Sequence, residues 1–244
     1  MSKRFTYFRQ LKGNSDRQDI ETEEERWGNL AKYAPYGRHG DTKNDFTIIP
    51  RQEAYTKYFD YEHVAHAMFY ARDDRVLWYK QPARAAVLMQ MRFDERLGFP
   101  GGHVNNGEDT VTGLNRKMQE KIGLDINRYG FTENNYVVTY IHDKKKFVLH
   151  FFAKKISSEE LKDIECNCVY AQEYGREALG CVRPHLYTKD DNIKGFPAFL
   201  CGQFAGNAKE ELLFGLVHAQ LFTQQETKQI LKFSDEMCNN INLL

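Results

Sequence analysis

The sequence predicts an α/β domain, a mixed sheet covered by helices on both faces, with an N-terminal arm in front of it. Three observations lead there. Short apolar runs at 66–70 and 85–92 read as strands buried on both sides. Apolar residues at 111, 114, 118 and 122 keep a helical spacing that stops at Gly123. Strand-like and helix-like segments then alternate toward the C-terminus, the pattern of a layered α/β fold. With 244 residues the chain is long enough for one substantial core.

In chain order, residues 1–60 form the arm: a charge run at 21–26, scattered Gly28, Pro35, Gly37, Gly40 and Pro50, and no sustained periodicity. It is too aromatic for a plain linker, with Trp27, Tyr33, Tyr36, Phe46, Tyr55, Tyr58 and Phe59, so it is expected to pack on the domain or on a protein partner. Residues 19–26 read either as a short helix or as a solvated acidic face. The domain, 61–244, opens with the 66–70 strand, and Asp73 and Asp74 read as a turn before the 85–92 strand. After the helix at about 110–122, segments 136–142 and 147–154 flank a charged tip at 143–146 and predict a hairpin. Ser157 with Glu160 three residues on is a capping box, predicting a helix through Ile164. Residues 180–187 read as a strand, with Pro184 marking an edge or bulge. Two helices close the chain, 207 to about 219 and, capped by Thr223 and Glu226, about 224–239.

Composition narrows the function classes. The 34 basic and 34 acidic residues balance, which excludes a polybasic or acidic tail and leaves nucleic-acid binding to a local patch. Lys144, Lys145 and Lys146 at the hairpin tip, with Lys154 and Lys155, could touch phosphate but have the ordinary reading of a solvated tip. No apolar run approaches the roughly 18–20 residues of a membrane span, and the start lacks the uncharged stretch of a secretory signal, so a nuclear or cytoplasmic protein without membrane association is expected. Five cysteines are an odd number, which argues for reduced thiols. Cys166 and Cys168 lack the second ligand pair that a zinc site needs.

The informative stretch runs from Gly102 to Leu124. Gly102, Glu108, Arg116, Met118, Glu120, Gly123 and Leu124 fall without insertion on the pattern G-x5-E-x7-R-E-U-x-E-E-x-G-U, and Gly98-Phe99-Pro100-Gly101 leads into it. This resembles the box of the Nudix hydrolases, and implies their α/β/α sandwich. Segments 87–94, 97–102, 113–116, 177–183, 186–188, 195–200 and 208–213 narrow the resemblance to the Nudix group that decaps small nucleolar RNA and hydrolyses inosine-type nucleoside diphosphates. That group includes a catalytically silent paralogue, the Tudor-interacting repair regulator or syndesmos. The resemblance spans about 62–220 and implies a homodimer.

Positions 117, 120 and 121 share one helix face, so three carboxylates there could jointly hold hard divalent cations against a pyrophosphate. Here two of them are Lys117 and Lys121, and Glu120 alone remains. One ammonium about 5 Å from a divalent ion costs on the order of 6 kcal/mol at an effective dielectric of about 20. The expectation is a fold that has lost metal-dependent hydrolysis, carries no cofactor, and acts by binding RNA or a purine nucleotide in the cleft, or a protein partner through the arm. The alternative is an active hydrolase of inosine-type diphosphates or capped RNA that uses magnesium or manganese on Glu108 and Glu120, with Glu177 or Asp94 assisting. No catalytic residue is assigned; Glu108, Arg116 and Glu120 are what remains of the box. Glu108 and Arg116 also have the plain reading of an ion pair at a helix start, and the lysines that of exposed helix residues or of direct phosphate binders. From the resemblance, His66 would lie beside the base, Arg92 at the phosphates, and Phe99 in the shared loop, while His103 stands where the relatives have Phe.

Overall fold

One long strand organises the molecule. The computed structural model of the chain describes residues 45–78 and 80–241. In it β2 (Glu62–Leu77) is 16 residues long and carries different partners on its two edges. Along one edge β8 (Phe147–Lys155) runs parallel to it, from Glu62 opposite Phe147 to Tyr70 opposite Lys155. Along the other, β3 (Gln81–Val87) pairs with its far half and the short β6 (Gly101–His103) with its near half, both antiparallel. β7 (Tyr136–His142) and then β1 (Thr47–Ile49) extend the sheet beyond β8. The parallel pairing of β2 with β8 makes the sheet mixed, as the alternation of elements predicted. A second sheet is formed by β5 (Leu97–Gly98), β4 (Met89–Arg92) and β9 (Ala178–Val182).

Helices are α1 (Arg51–Thr56), α2 (Thr110–Ile122), α3 (Ile126–Tyr129), α4 (Ser158–Asn167), α5 (Phe196–Leu200), α6 (Ala208–His218) and α7 (Gln224–Ile241). The sheet separates two cores because adjacent strand residues point to opposite faces. Ala65, Phe69 and Phe152 pack with Leu114, Met118 and Ile122 of α2 and with Leu161 and Ile164 of α4. Met68 and Phe151, each one residue away, join Phe196, Leu212, Leu216 and Ile230 from α5, α6 and α7. Among the described residues no helix is long and apolar enough to cross a membrane.

Several elements differ from their sequence readings. Asp73 and Asp74 lie inside β2, where a bulge between Asp73 and Val76 absorbs one residue. The Asp73 carboxylate accepts from the Arg75 backbone N–H at 3.1 Å and from its guanidinium at 2.8 and 2.6 Å, so its polarity serves the bulge and the chain reverses after Leu77. The 85–92 run is two strands: Val87 pairs with Tyr70 in the large sheet, Met89 with Val182 in the small one, and Leu88 is the switch. The 180–187 strand shifts to Ala178–Val182 and ends before Pro184, which has no N–H to give a ladder. Residues 47–56, aperiodic in sequence, hold β1 and α1, each too short for a period to show. The reading at 19–26 lies outside the described residues. The helices at 110–122 and 208–218 and the hairpin at 136–155 form as predicted.

Candidate functional site

The site is built around the Gly-rich loop that returns from the small sheet to the large one. Between the stretches taken by β6 and β3, the Ala67 N–H donates to the carbonyl of Pro100 at 3.0 Å, which draws the loop against β2. Gly101 has φ of 145°, and a Cβ there would sit 2.1 Å from the Ala65 carbonyl oxygen, so only glycine permits this approach. Gly102 follows directly beneath the Lys117 methylenes, where a Cβ would lie 3.1 Å from Cδ. His66 is the register partner of Gly101. The Gly101-Gly102 step is therefore flanked by β2 on one side and by α2 on the other.

Helix α2 is capped by Asp109, whose carboxylate accepts from the Val111 and Thr112 N–H groups, and is ended by Gly123 in the left-handed region at φ 64°. Leu114, Met118 and Ile122 are buried on one face, which leaves Arg116, Lys117, Glu120 and Lys121 on the other. There the charges pair closely. Arg116 donates to both oxygens of Glu108 at 2.9 and 2.7 Å, to Glu120 Oε1 at 3.2 Å and to the His103 carbonyl at 3.2 Å. Lys117 Nζ donates to the other Glu120 oxygen at 2.6 Å, and Lys121 Nζ is paired with Glu177 from the segment before β9. The guanidinium of Arg116 holds the Glu108 carboxyl at about 2, and Lys117 and Lys121 lower those of Glu120 and Glu177. Arg92 packs on Gly98 and donates to Asp94 at 3.1 Å. Glu108, Glu120, Glu177 and Asp94 thus face four cations, Arg116, Lys117, Lys121 and Arg92. Among the described residues no group of three or more His, Cys, Asp or Glu side chains is placed to hold a metal ion.

On the other side of the loop the situation is reversed. His66 Nδ1 lies 3.3 Å from Glu211 Oε1, and Glu211 is fully buried. Its Oε2 makes no hydrogen bond to a described residue, nor does either polar atom of the Asn207 amide, also buried, one helical turn earlier. Burial, and then the Glu211 charge, raise the pKa of the Tyr140 phenol. The backbone leading into α6 is stitched to β5, with Leu97 N–H donating to Gln203 and Ala205 N–H to Leu97, each at 2.8 Å, which sets Asn207 and Glu211 beside the loop.

Of the residues expected from sequence, Glu108, Arg116, Lys117, Glu120 and Lys121 come together on α2, His66 and Arg92 border the same loop, and His103 lies exposed at its mouth, 3.7 Å from Glu62. Phe99 stands in the loop as expected, with its ring buried against Phe151 at 5.1 Å, packing beneath it. Asn207 and Glu211 were not anticipated. A signal existed, since 208, 211, 212 and 215 share the apolar stripe of α6 and a carboxylate on that stripe needs a reason.

The chain is 40% identical over 180 residues to a U8 snoRNA-decapping enzyme of Homalodisca vitripennis, covering 74% of this chain and 96% of that protein. It is 37% identical over 179 residues to a U8 snoRNA-decapping enzyme of Xenopus laevis, covering 72% and 84%. It is also 36% identical over 190 residues to the Homo sapiens Tudor-interacting repair regulator protein, covering 77% and 88%. A family model described as Nudt16-like, U8 snoRNA-decapping enzyme-like, matches residues 63–222, and the chain, with its mixed-sheet sandwich and its Gly102–Leu124 box, belongs to that family of Nudix proteins.

Proposed function

We propose that this protein has lost metal-dependent hydrolysis and acts by binding a purine nucleotide, or the purine end of an RNA, in the cleft around the Gly101-Gly102 step. The observation that carries this is the ion-pair set on α2. Glutamates at 117 and 121 would give these eight groups a net charge of minus four, which two divalent cations would neutralise; Lys117 and Lys121 bring it to zero without them. Both Glu120 oxygens and both Glu108 oxygens already accept from a guanidinium or an ammonium. The residues present therefore do not fit a divalent cation, and magnesium or manganese has no part in this reading.

The same side chains support anion binding. Partly exposed Lys–Glu pairs contribute only about 0–1 kcal/mol, so Lys117, Lys121 and Arg92 can exchange a carboxylate for a phosphate at low cost. Glu211 Oε2 and the Asn207 amide supply acceptors and donors suited to the edge of a purine, beside the His66 ring. The relatives named for U8 snoRNA decapping make a capped or purine-bearing RNA the first ligand to try. Residues 1–60 are our proposed contact for a protein partner, and we propose a homodimer in the nucleus or cytoplasm, both open to light scattering and fractionation of the full chain. Calorimetric titration with manganese, with inosine or guanosine diphosphate, and with both, followed by a phosphate assay, decides the main reading. Nucleotide binding without metal or turnover is expected; metal-dependent phosphate release would restore the hydrolase.

A further inference from the structure

Four of the five cysteines stand in two close pairs far apart in sequence. Cys168 begins the turn after α4 and Cys181 sits in β9, and their sulfurs are 2.6 Å apart. Cys201 ends α5 and Cys238 lies in the last turns of α7, with sulfurs 2.7 Å apart and the Cys201 sulfur also 3.2 Å from the Ser234 carbonyl. All are free thiols, and Cys166 is exposed and outside both pairs. We propose that Cys168–Cys181 and Cys201–Cys238 are modification sites, dithiol pairs that hydrogen peroxide converts to intramolecular disulfides and thiol reductants restore.

The geometry supports this, since the sulfurs need close only from 2.6 and 2.7 Å to the roughly 2.05 Å of a disulfide. In the first pair Cys181 is the partly exposed member and Cys168 is buried. Sharing the Cys168 proton with the Cys181 sulfur, and then burial, push the Cys168 thiol up, and Cys181 is the member peroxide can reach, so reaction starts at Cys181. Its thiolate attacks one peroxide oxygen, the O–O bond breaks, and the departing hydroxide takes a proton to become water. The resulting Cys181 sulfenic acid is attacked by the Cys168 sulfur; the S–O bond breaks, the S–S bond forms, and the Cys168 proton leaves with the hydroxide as a second water. The two sulfurs lose two electrons and one peroxide is reduced to two waters.

The position gives the first pair its consequence. Residues 169–180, which the disulfide would close into a ring, carry Glu177 to Lys121, and the Glu173 N–H donates to the Glu120 carbonyl at 3.1 Å. Cys181 also pairs with Gln90, whose side-chain amide donates to the Lys121 carbonyl at 3.2 Å. Oxidation therefore fastens both ends of the segment that lies on the polar face of α2. The second pair fastens the end of α7 to α5.

The test treats the reduced full-length protein with peroxide, alkylates remaining thiols with N-ethylmaleimide, and maps tryptic peptides; cleavage at Arg176 separates Cys168 from Cys181. Expected are loss of labelling at Cys168, Cys181, Cys201 and Cys238 with Cys166 still labelled, two cross-linked peptide pairs in the stated combinations, full reversal by dithiothreitol, and slower amide exchange at 169–180. Cys166→Ser keeps the first link and removes any ambiguity within its peptide; Cys181→Ala abolishes that link and leaves the second. Thiols that stay labelled, sulfinic or sulfonic acids without a cross-link, a link through Cys166, or disulfides between chains would each overturn the proposal.

Discussion

On the polar face of α2, Glu108, Glu120 and Glu177 each meet a guanidinium or an ammonium, whereas at the start of α6 Glu211 and Asn207 are buried with atoms that meet no described partner. Both regions border one Gly-Gly step, so the backbone is shared, and burial together with side-chain chemistry makes the difference. On the paired side each carboxylate already has a counter-charge. The unpaired side holds a desolvation cost of about 1–3 kcal/mol per buried group, which an arriving ligand can relieve. On the function proposed above, the unpaired side is where a ligand would be held, and the paired side is what separates holding it from cleaving it.

The contrast breaks most severely if the paired side is turned back. Lys117→Glu with Lys121→Glu removes two cations and adds two carboxylates next to Glu120, and the double variant is expected to bind manganese by calorimetry where the parent does not, with a thermal midpoint that rises when metal is added. An ammonium near a divalent ion costs on the order of 6 kcal/mol, so the change should be all or none over ordinary metal concentrations. Equal metal binding by both proteins would remove the charge argument.

Next in size is Glu211→Leu, which separates folding from binding on the unpaired side. Replacing a buried carboxylate that lacks a full set of partners with an apolar side chain should stabilise the free protein by about 1–3 kcal/mol in urea titrations. Purine nucleotide affinity should fall, while Glu211→Gln keeps an intermediate value. If stability falls and binding is unchanged, Glu211 is a structural member of the core and not a ligand contact.

Arg116→Ala sharpens the paired side itself. It removes the guanidinium from both Glu108 oxygens, leaving the carboxylate only the Asn105 N–H, and from one oxygen of Glu120 and the His103 carbonyl, and, allowing for partial solvent screening, should cost about 1–2 kcal/mol in the same titration. The smallest effect is in acid. Glu108, Glu120 and Glu177 all titrate lower in the folded protein than when unfolded, Glu108 at about 2 against an ordinary 4.5, so between those values the unfolded chain binds more protons. Their contribution is complete above about pH 4.5 and is lost as the pH falls toward 2, and high salt should flatten that slope. A stability profile flat over that window would show these pairs to be without thermodynamic effect.

Much of this could be read from the residues in a row. Helix α2 was legible because its signals are local: an apolar residue at each turn and Gly123 after it. The hairpin of β7 and β8 and the capping box at Ser157 were legible for the same reason. Lys117 and Lys121 were already visible as substitutions in the box, since spacing along a helix fixes which side chains share a face. The strand switch at Leu88 was not legible, because a run of apolar residues reads alike whether it stays in one sheet or passes between two. Nor was the bulge at Asp73, where the deciding hydrogen bonds come from Arg75 and the register from β3.

The sequence by itself determined the family, the sandwich of elements and the replacement of two box carboxylates by lysines, because these rest on spacing within short windows. Tertiary structure alone decided that Glu177 is brought to Lys121, that Phe99 packs inward, that Glu211 and Asn207 are buried beside His66, and that Cys168 and Cys181, and Cys201 and Cys238, meet. Each of these joins segments whose approach depends on how β2, the small sheet and α6 pack together, and no local pattern encodes that distance.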